Sequence, residues 1–368
     1  MVERILPFRD AAYSGSNGFE AIFRAGAVRE LGLVLNGTYT AGTPANLSYL
    51  APSNLLGPLE LVQNGTPRIK AEMAQLYHLS ALYGGGYIHK SASVAAPTAA
   101  FSIAAKLPLS KMMDGAGIDA TGSELLWRGT WRPEAYYAGT APTTIATTTK
   151  FKPYAVTAEV VPAGGFMDPE FTSHTFDISS TSNQLTFQID VGAGVFLPGL
   201  MIEALDASGG FGTDARAAVD GLIKRLTIEV NIPGESQVPV VKDASWAMLR
   251  NETCNRAGFS LDDETTSAGM VWIPFTQQRG GAKRNALFLP AKATITLTFD
   301  TQTTVEGQYT SVTPASGDVA RVLAPRFLAI ANQAINASTT ALNKSRAQLG
   351  RRALGAGVNP GRVRQFAR

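Results

Sequence analysis

Three histidines, one cysteine and one short acidic run are the groups here whose chemistry could make a site. His78, His89 and His174 lie far apart, and none falls in a metal-ligand pattern such as H-E-x-x-H. A helix, a glycine-rich loop and the start of a strand are their expected settings, which predicts structural or surface roles. Cys254 is the single cysteine, which excludes an internal disulfide framework and a cysteine-based zinc site. Near the end of a helix it is expected to be a small buried apolar residue. Asp262-Asp263-Glu264 offers carboxylate oxygens to a cation, but such a run is more commonly a solvated loop. No G-x-S-x-G elbow, P-loop or G-x-G-x-x-G fingerprint occurs. Tyr83-Gly84-Gly85-Gly86-Tyr87 has no strand leading into it and reads as a helix stop. The sequence therefore predicts no active site, no metal and no cofactor.

Six Asn-x-Ser/Thr sequons stand at Asn36, Asn46, Asn64, Asn251, Asn336 and Asn343. Asn36 and Asn64 belong to Asn-Gly turns, and no secretory leader is expected at MVERILPFRD, so glycosylation is not expected. The longest apolar stretch, residues 191–205, is interrupted by glycines, Pro198 and Glu203, which argues against a membrane-spanning helix. A soluble protein made in a reducing compartment is the expectation.

Charge is the second signal. Residues 319–368 hold nine Arg or Lys and no acid, and with a total of +3 this leaves −6 on residues 1–318. An acidic body with a basic tail points to an anionic partner at one end. Leu328, Ile335, Leu342 and Leu349 recur every seven residues, so 332–353 reads as a helix with a narrow apolar stripe. Lys344, Arg346, Arg351, Arg352, Arg362, Arg364 and Arg368 are the residues expected to meet lipid headgroups or nucleic acid. The stripe favours lipid or a neighbouring subunit, because nucleic acid has no use for it. The third signal is aromatic. Residues 108–149 read as a long irregular segment carrying Trp127, Trp131, Tyr136 and Tyr137. These are candidate subunit-contact anchors or, alternatively, a local core under a long loop.

The elements that must position these groups show an internal repeat. In LLGPLELVQNGTPRIKAEMAQLYHLSALY, residues 55–83, an alternating strand meets an Asn-Gly turn, a short return run and a helix over 71–83. Residues 222–250 repeat that order, with Pro233-Gly234 as the turn and a helix over 243–251 opened by Asp243 as N-cap. The copies lie about 165 residues apart, one domain length, which predicts a duplicated domain. Further strands are expected at 152–161, 184–191, 200–205, 270–276 and 294–299, with loops at 43–53 and 206–221. A short helix is expected over 18–29. The predicted organisation is an N-terminal arm (1–29), two β-rich domains (30–165 and 166–330) and a basic helix and tail (331–368). Apolar residues make up 45% and charged residues 17%, with 36 Gly and 20 Pro, which suits many strands joined by turns.

Two consecutive β-rich domains with the same hairpin–helix insertion look like a double jelly roll, all-β with eight strands in each roll. The run LGLVLNGTYT…LSYLAPSNLLGPLELVQNGTPRIK resembles the N-terminal half of corticovirus-type major capsid proteins, of the tectivirus–adenovirus lineage. The matching features are the strand ending in Asn36-Gly37-Thr38, the Asn54-Leu55-Leu56 opening and the strand ending in Asn64-Gly65-Thr66. The resemblance covers residues 30–83. It implies a homotrimer forming a pseudo-hexameric capsomer in an icosahedral bacteriophage shell over an internal membrane or genome. It also implies neighbouring capsomers, penton and minor capsid proteins as partners, and a virion protein assembled in the host cytoplasm. A spike or minor vertex receptor-binding protein and a carbohydrate-active β-sandwich enzyme are the alternatives.

Overall fold

The computed structural model describes residues 4–24, 26–41, 51–83, 88–90, 98–133, 143–158, 161, 165–178, 184–190, 194–211, 215–235, 237–257, 269–275, 286–301, 309 and 312–328. Within these, sixteen strands form the frame. The first eight are β1 (Arg4–Pro7), β2 (Gly18–Arg24), β3 (Ala27–Ala41), β4 (Leu59–Gln63), β5 (Thr66–Ala71), β6 (Thr98–Pro108), β7 (Glu124–Thr130) and β8 (Lys150–Ala158). The second eight are β9 (Pro169–Asp177), β10 (Gln184–Asp190), β11 (Gly199–Phe211), β12 (Arg225–Asn231), β13 (Val238–Ser245), β14 (Met270–Pro274), β15 (Thr294–Asp300) and β16 (Val319–Leu328). Helix α1 (Met73–Leu82) follows β5, and α2 (Trp246–Ala257) follows β13.

Strands β1, β8, β3 and β6 are neighbours in one sheet, and β2, β7, β4 and β5 in another. The two meet across a core in which the Phe19 and Phe151 rings lie 5.3 Å apart. The second set gives the orders β9, β16, β11, β14 and β10, β15, β12, β13. Adding eight to every strand number turns the first pair of sheets into the second, so the fold is a jelly roll made twice. The duplicated units 55–83 and 222–250 occupy equivalent places: β4, β5 and α1 in the first roll, β12, β13 and α2 in the second.

Local chemistry explains the elements. In β15, Ile295, Leu297 and Phe299 are buried and alternate with threonines, and every residue pairs with both β10 and β12. The β4–β5 turn places Asn64 at φ 48° and Gly65 at φ 81°, the left-handed pair a tight hairpin needs. On β3, a Cβ at Gly32 would lie 1.9 Å from the Tyr154 ring of β8, so only glycine admits that aromatic across the strands.

The rolls do not merely touch. Strand β5 pairs in parallel with β9, with Ile69 opposite Phe171 and Lys70 opposite Thr172, making one continuous 11-stranded sheet.

Several expectations are corrected. Residues 18–24 form β2, paired with β7 inside the first roll, and β1 pairs with β8, so the N-terminal segment is not an outlying arm. Ala21 and Phe23 point into the core at period two, a pattern that a helix over 18–29 cannot use. Within the segment 108–149, residues 124–130 are not loop: they form β7, which stands between β2 and β4. Nor is 206–221 a loop: β11 runs on to Phe211 and pairs with a short strand, Ala215–Ala218. Asp243 is no N-cap. It sits at φ 48° within β13, where the register to β12 shifts, and α2 starts three residues later. The loop expected at 43–53 is described only from residue 51, where Ala51–Leu55 forms a 3-10 turn.

Candidate assembly interface

The groups singled out for chemistry are not gathered together. His78 is buried on α1, with Nδ1 3.8 Å from a Glu203 carboxylate oxygen. His174 lies on β9, its ring stacked parallel to Phe176 at 6.2 Å. Burial, with the Arg326 charge nearby, holds its imidazole below the usual range. His89 falls in a short strand, Ile88–Lys90, whose side chains lie outside the described residues, as do Asp262, Asp263 and Glu264. Cys254 is buried on the inner face of α2. Among the described residues, no group of three His, Cys, Asp or Glu side chains could hold a metal ion. A groove of about 770 Å³ on the first roll is lined by Phe19, Glu20, Glu60, Lys70 and Arg128, among others. Its central carboxylate, Glu60, is neutralised by Lys70 at 3.0 Å and Arg128 at 2.6 Å.

What the structure does bring together is charge at the seam between the rolls. Glu72, at the start of α1, lies 3.1 Å from Arg132 and 3.8 Å from Arg321 of β16. Arg321 also lies 3.6 Å from Glu203 of β11, which faces His78. Arg68 of β5 meets Asp168 at 3.3 Å, and burial raises that carboxyl against the opposing pull of Arg68. Of the two carboxylates that Arg321 links, Glu203 is nearly sealed from solvent and Glu72 is largely covered. Buried pairs of this kind add little net stability, but any arrangement that separates them is heavily penalised. Their effect is to fix how the two rolls sit against each other. Glu203 had one sign in the sequence: it is the charge that interrupts an apolar run. Arg321 and Glu72 had none.

Helix α1 is the wedge of this seam. Met73, Gln75, Leu76, Tyr77, His78, Leu79, Ser80 and Ala81 are all buried, and Tyr83 at its end meets Trp272 of β14 edge-on at 5.8 Å. A capping box between Glu72 and Gln75 satisfies its first backbone donors. Helix α2 is built differently. Its inner face carries Trp246, Leu249, Arg250, Thr253 and Cys254, while Met248, Asn251, Glu252, Asn255 and Arg256 are exposed. The inner face is held by Asp220. That carboxylate lies 2.9 Å from Arg250 Nε and accepts a 2.6 Å bond from Trp246 Nε1. Arg250 also donates to the Met270 carbonyl at 3.0 Å. Burial raises the Asp220 carboxyl above the usual range, against the pull of Arg250 and Trp246. Nearby, the buried Lys224 amine donates to the carbonyls of Gly221 and, at 2.7 Å, Val312.

The aromatic anchors are corrected. Trp127 is 0% exposed and Trp131 1%, both enclosed by their own chain. Trp131 packs edge-on to Tyr13 at 5.3 Å and against Phe19 at 5.4 Å. They are first-roll core, and a side chain with no free surface cannot anchor a neighbouring subunit. The signal was present in Glu124–Thr130, where Leu125 and Trp127 alternate inward as a strand. Tyr136 and Tyr137 lie outside the described residues, as do Lys344, Arg346, Arg351, Arg352, Arg362, Arg364 and Arg368.

No protein-family model and no curated protein matches the chain. Solved structures do. A chain in the atomic structure of Sulfolobus Turreted Icosahedral Virus superposes with a TM-score of 0.61 at 13% identity, over 89% of this chain and 90% of that one. PBCV-1 VP54, fitted into a reconstruction of the virophage Sputnik, gives 0.53 at 11% identity, over 89% and 93%. The PBCV-1 virus capsid gives 0.50 at 11% identity, over 89% and 95%. At such identities the likeness speaks for architecture, and over nearly its whole described length this chain has the double jelly-roll fold of those viral proteins.

Proposed function

We propose that this chain is the major capsid protein of an icosahedral virus, a structural protein with no catalytic role. The observation that carries the reading is the tandem pair of jelly rolls fused through β5 and β9, an architecture shared with virus structures over 89% of this chain. Three copies would place six rolls around a pseudo-sixfold axis and give a hexagonal capsomer. Capsomers would then tile a shell with penton and minor proteins, assembled in the host cytoplasm. The corticovirus-type affinity, an internal-membrane bacteriophage, rests on the residue 30–83 resemblance alone. Native mass spectrometry of the purified chain should give trimers, and electron micrographs should show shells or sheets of hexagonal units. A chain that stays monomeric at every concentration would overturn the reading.

Within it, the basic tail faces inward and touches membrane or genome. Near a charged bilayer each Lys or Arg contributes about 1 kcal/mol, within a Debye length. Truncation after Ile330 should leave trimers intact and abolish salt-sensitive binding to anionic liposomes. Undiminished binding refutes the membrane role.

A further inference from the structure

The seam inside the chain has a counterpart that the chain itself leaves open. In the first roll, β5 follows its hairpin and offers its outer edge to β9, the opening strand of the second roll. The strand equivalent to β5 is β13, and it ends its sheet: among the described residues only β12 pairs with it. The strand equivalent to β9 is β1, and among the described residues it too ends its sheet, paired only with β8. The same donor edge and the same acceptor edge thus recur, each without its partner.

The side chains repeat the pattern. Helix α1, just after the donor edge β5, is buried all round because the second roll covers it. Helix α2, just after β13, bares the face through Met248, which is 53% exposed. On β1, Ile5 is 70% exposed. Among the described residues only one other large apolar side chain, Ile22, is exposed, and Ile5 and Met248 mark the two vacant places. The prolines do not forbid pairing. Pro239 is the second residue of β13 as Pro67 is of β5, and β5 pairs with β9 all the same. Open edges with apolar neighbours are a liability unless another chain covers them.

We propose that β13 of one copy adds in parallel to β1 of the next. Helix α2 then lies on the neighbour's first roll as α1 lies on the second roll of its own chain. The two surfaces differ, so the contact is head-to-tail, and successive copies close into a ring rather than a two-fold dimer. That the ring holds three copies rests on the function proposed above; the matching of edges does not.

The test uses the full chain in two forms. In the first, Ile5→Cys and Lys242→Cys are combined and treated with a short bismaleimide. Cross-linked oligomers up to the ring are expected, and neither single cysteine should give them. In the second, Met248→Glu should raise the concentration at which the native oligomer half-dissociates by at least about tenfold. Exposed Asn255→Glu on the same helix face and exposed Glu20→Gln, on β2 away from both edges, bracket the effect, and circular dichroism checks the fold of each. A native trimer with no cross-link and unchanged dissociation overturns this interface while leaving the capsid reading standing. A monomeric wild-type chain overturns both.

Discussion

Arg250 offers the sharpest test of how α2 is held in place. Its side chain is 2% exposed, and it meets Asp220, 8% exposed, at 2.9 Å. Arg250→Met keeps most of the side-chain volume but leaves that carboxylate buried, with the Trp246 indole as its remaining side-chain donor. Breaking one side of a buried pair costs about 3–5 kcal/mol. In a unit of 150–250 residues each kcal/mol lowers Tm by about 2–4 °C, so a drop of roughly 6–20 °C is expected. Removing both charges, in Asp220→Asn/Arg250→Met, should recover at least half of the loss, because the orphaned carboxylate is the main penalty. Scanning calorimetry with near-UV circular dichroism reads both variants, Trp246 reporting on the site. A single variant melting within about 2 °C of wild type would refute the reasoning. So would a double variant no more stable than the single one.

Two further outcomes follow from buried groups. Burial pulls the Lys224 ammonium down to about 8 from its usual 10.5; the unfolded chain then holds the extra proton between those values, so native stability rises with pH across that window, by up to about 3 kcal/mol. Urea midpoints at pH 7 and pH 10 should show that rise in wild type and lose it in Lys224→Met; equal slopes in both would contradict it. Trp131→Ala should cost about 3–5 kcal/mol as a core deletion, yet the protein that folds should keep the wild-type oligomeric mass by native mass spectrometry, since the ring lies inside the first roll.

The sequence announced the architecture where a pattern repeated. Asn64-Gly65 and the alternation on either side of it, seen again near Pro233-Gly234, led to the duplication, and those hairpins hold equivalent places in the two rolls. The segment 108–149 was read differently because β7 is short and central. Glu124 and Arg128 on its open face obscured the alternation of Leu125 and Trp127, and the surrounding Gly and Pro residues looked like loop. Residues 18–29 misled because apolar spacing over a few residues fits more than one period. The seam was beyond reach. Glu72, Glu203 and Arg321 come from segments separated by more than a hundred residues, and only the parallel pairing of β5 with β9 brings them together. A free edge likewise leaves no mark in sequence, because it is defined by the strand that is missing.

The enclosure of α1 also sets the order in which the chain can mature. Its strands β1–β8 are all synthesised by residue 158, but the partners that cover the helix, Trp272 and Arg321, come more than a hundred residues later. Until they emerge from the ribosome, a nascent first roll holds an apolar helix and the carboxylate of Glu72 against water, with the β5 edge open beside them. Such intermediates aggregate or recruit chaperones. Docking of the second roll onto that waiting face is therefore expected to be the late, slow event in folding, and the first roll released on its own to be the form most prone to precipitate.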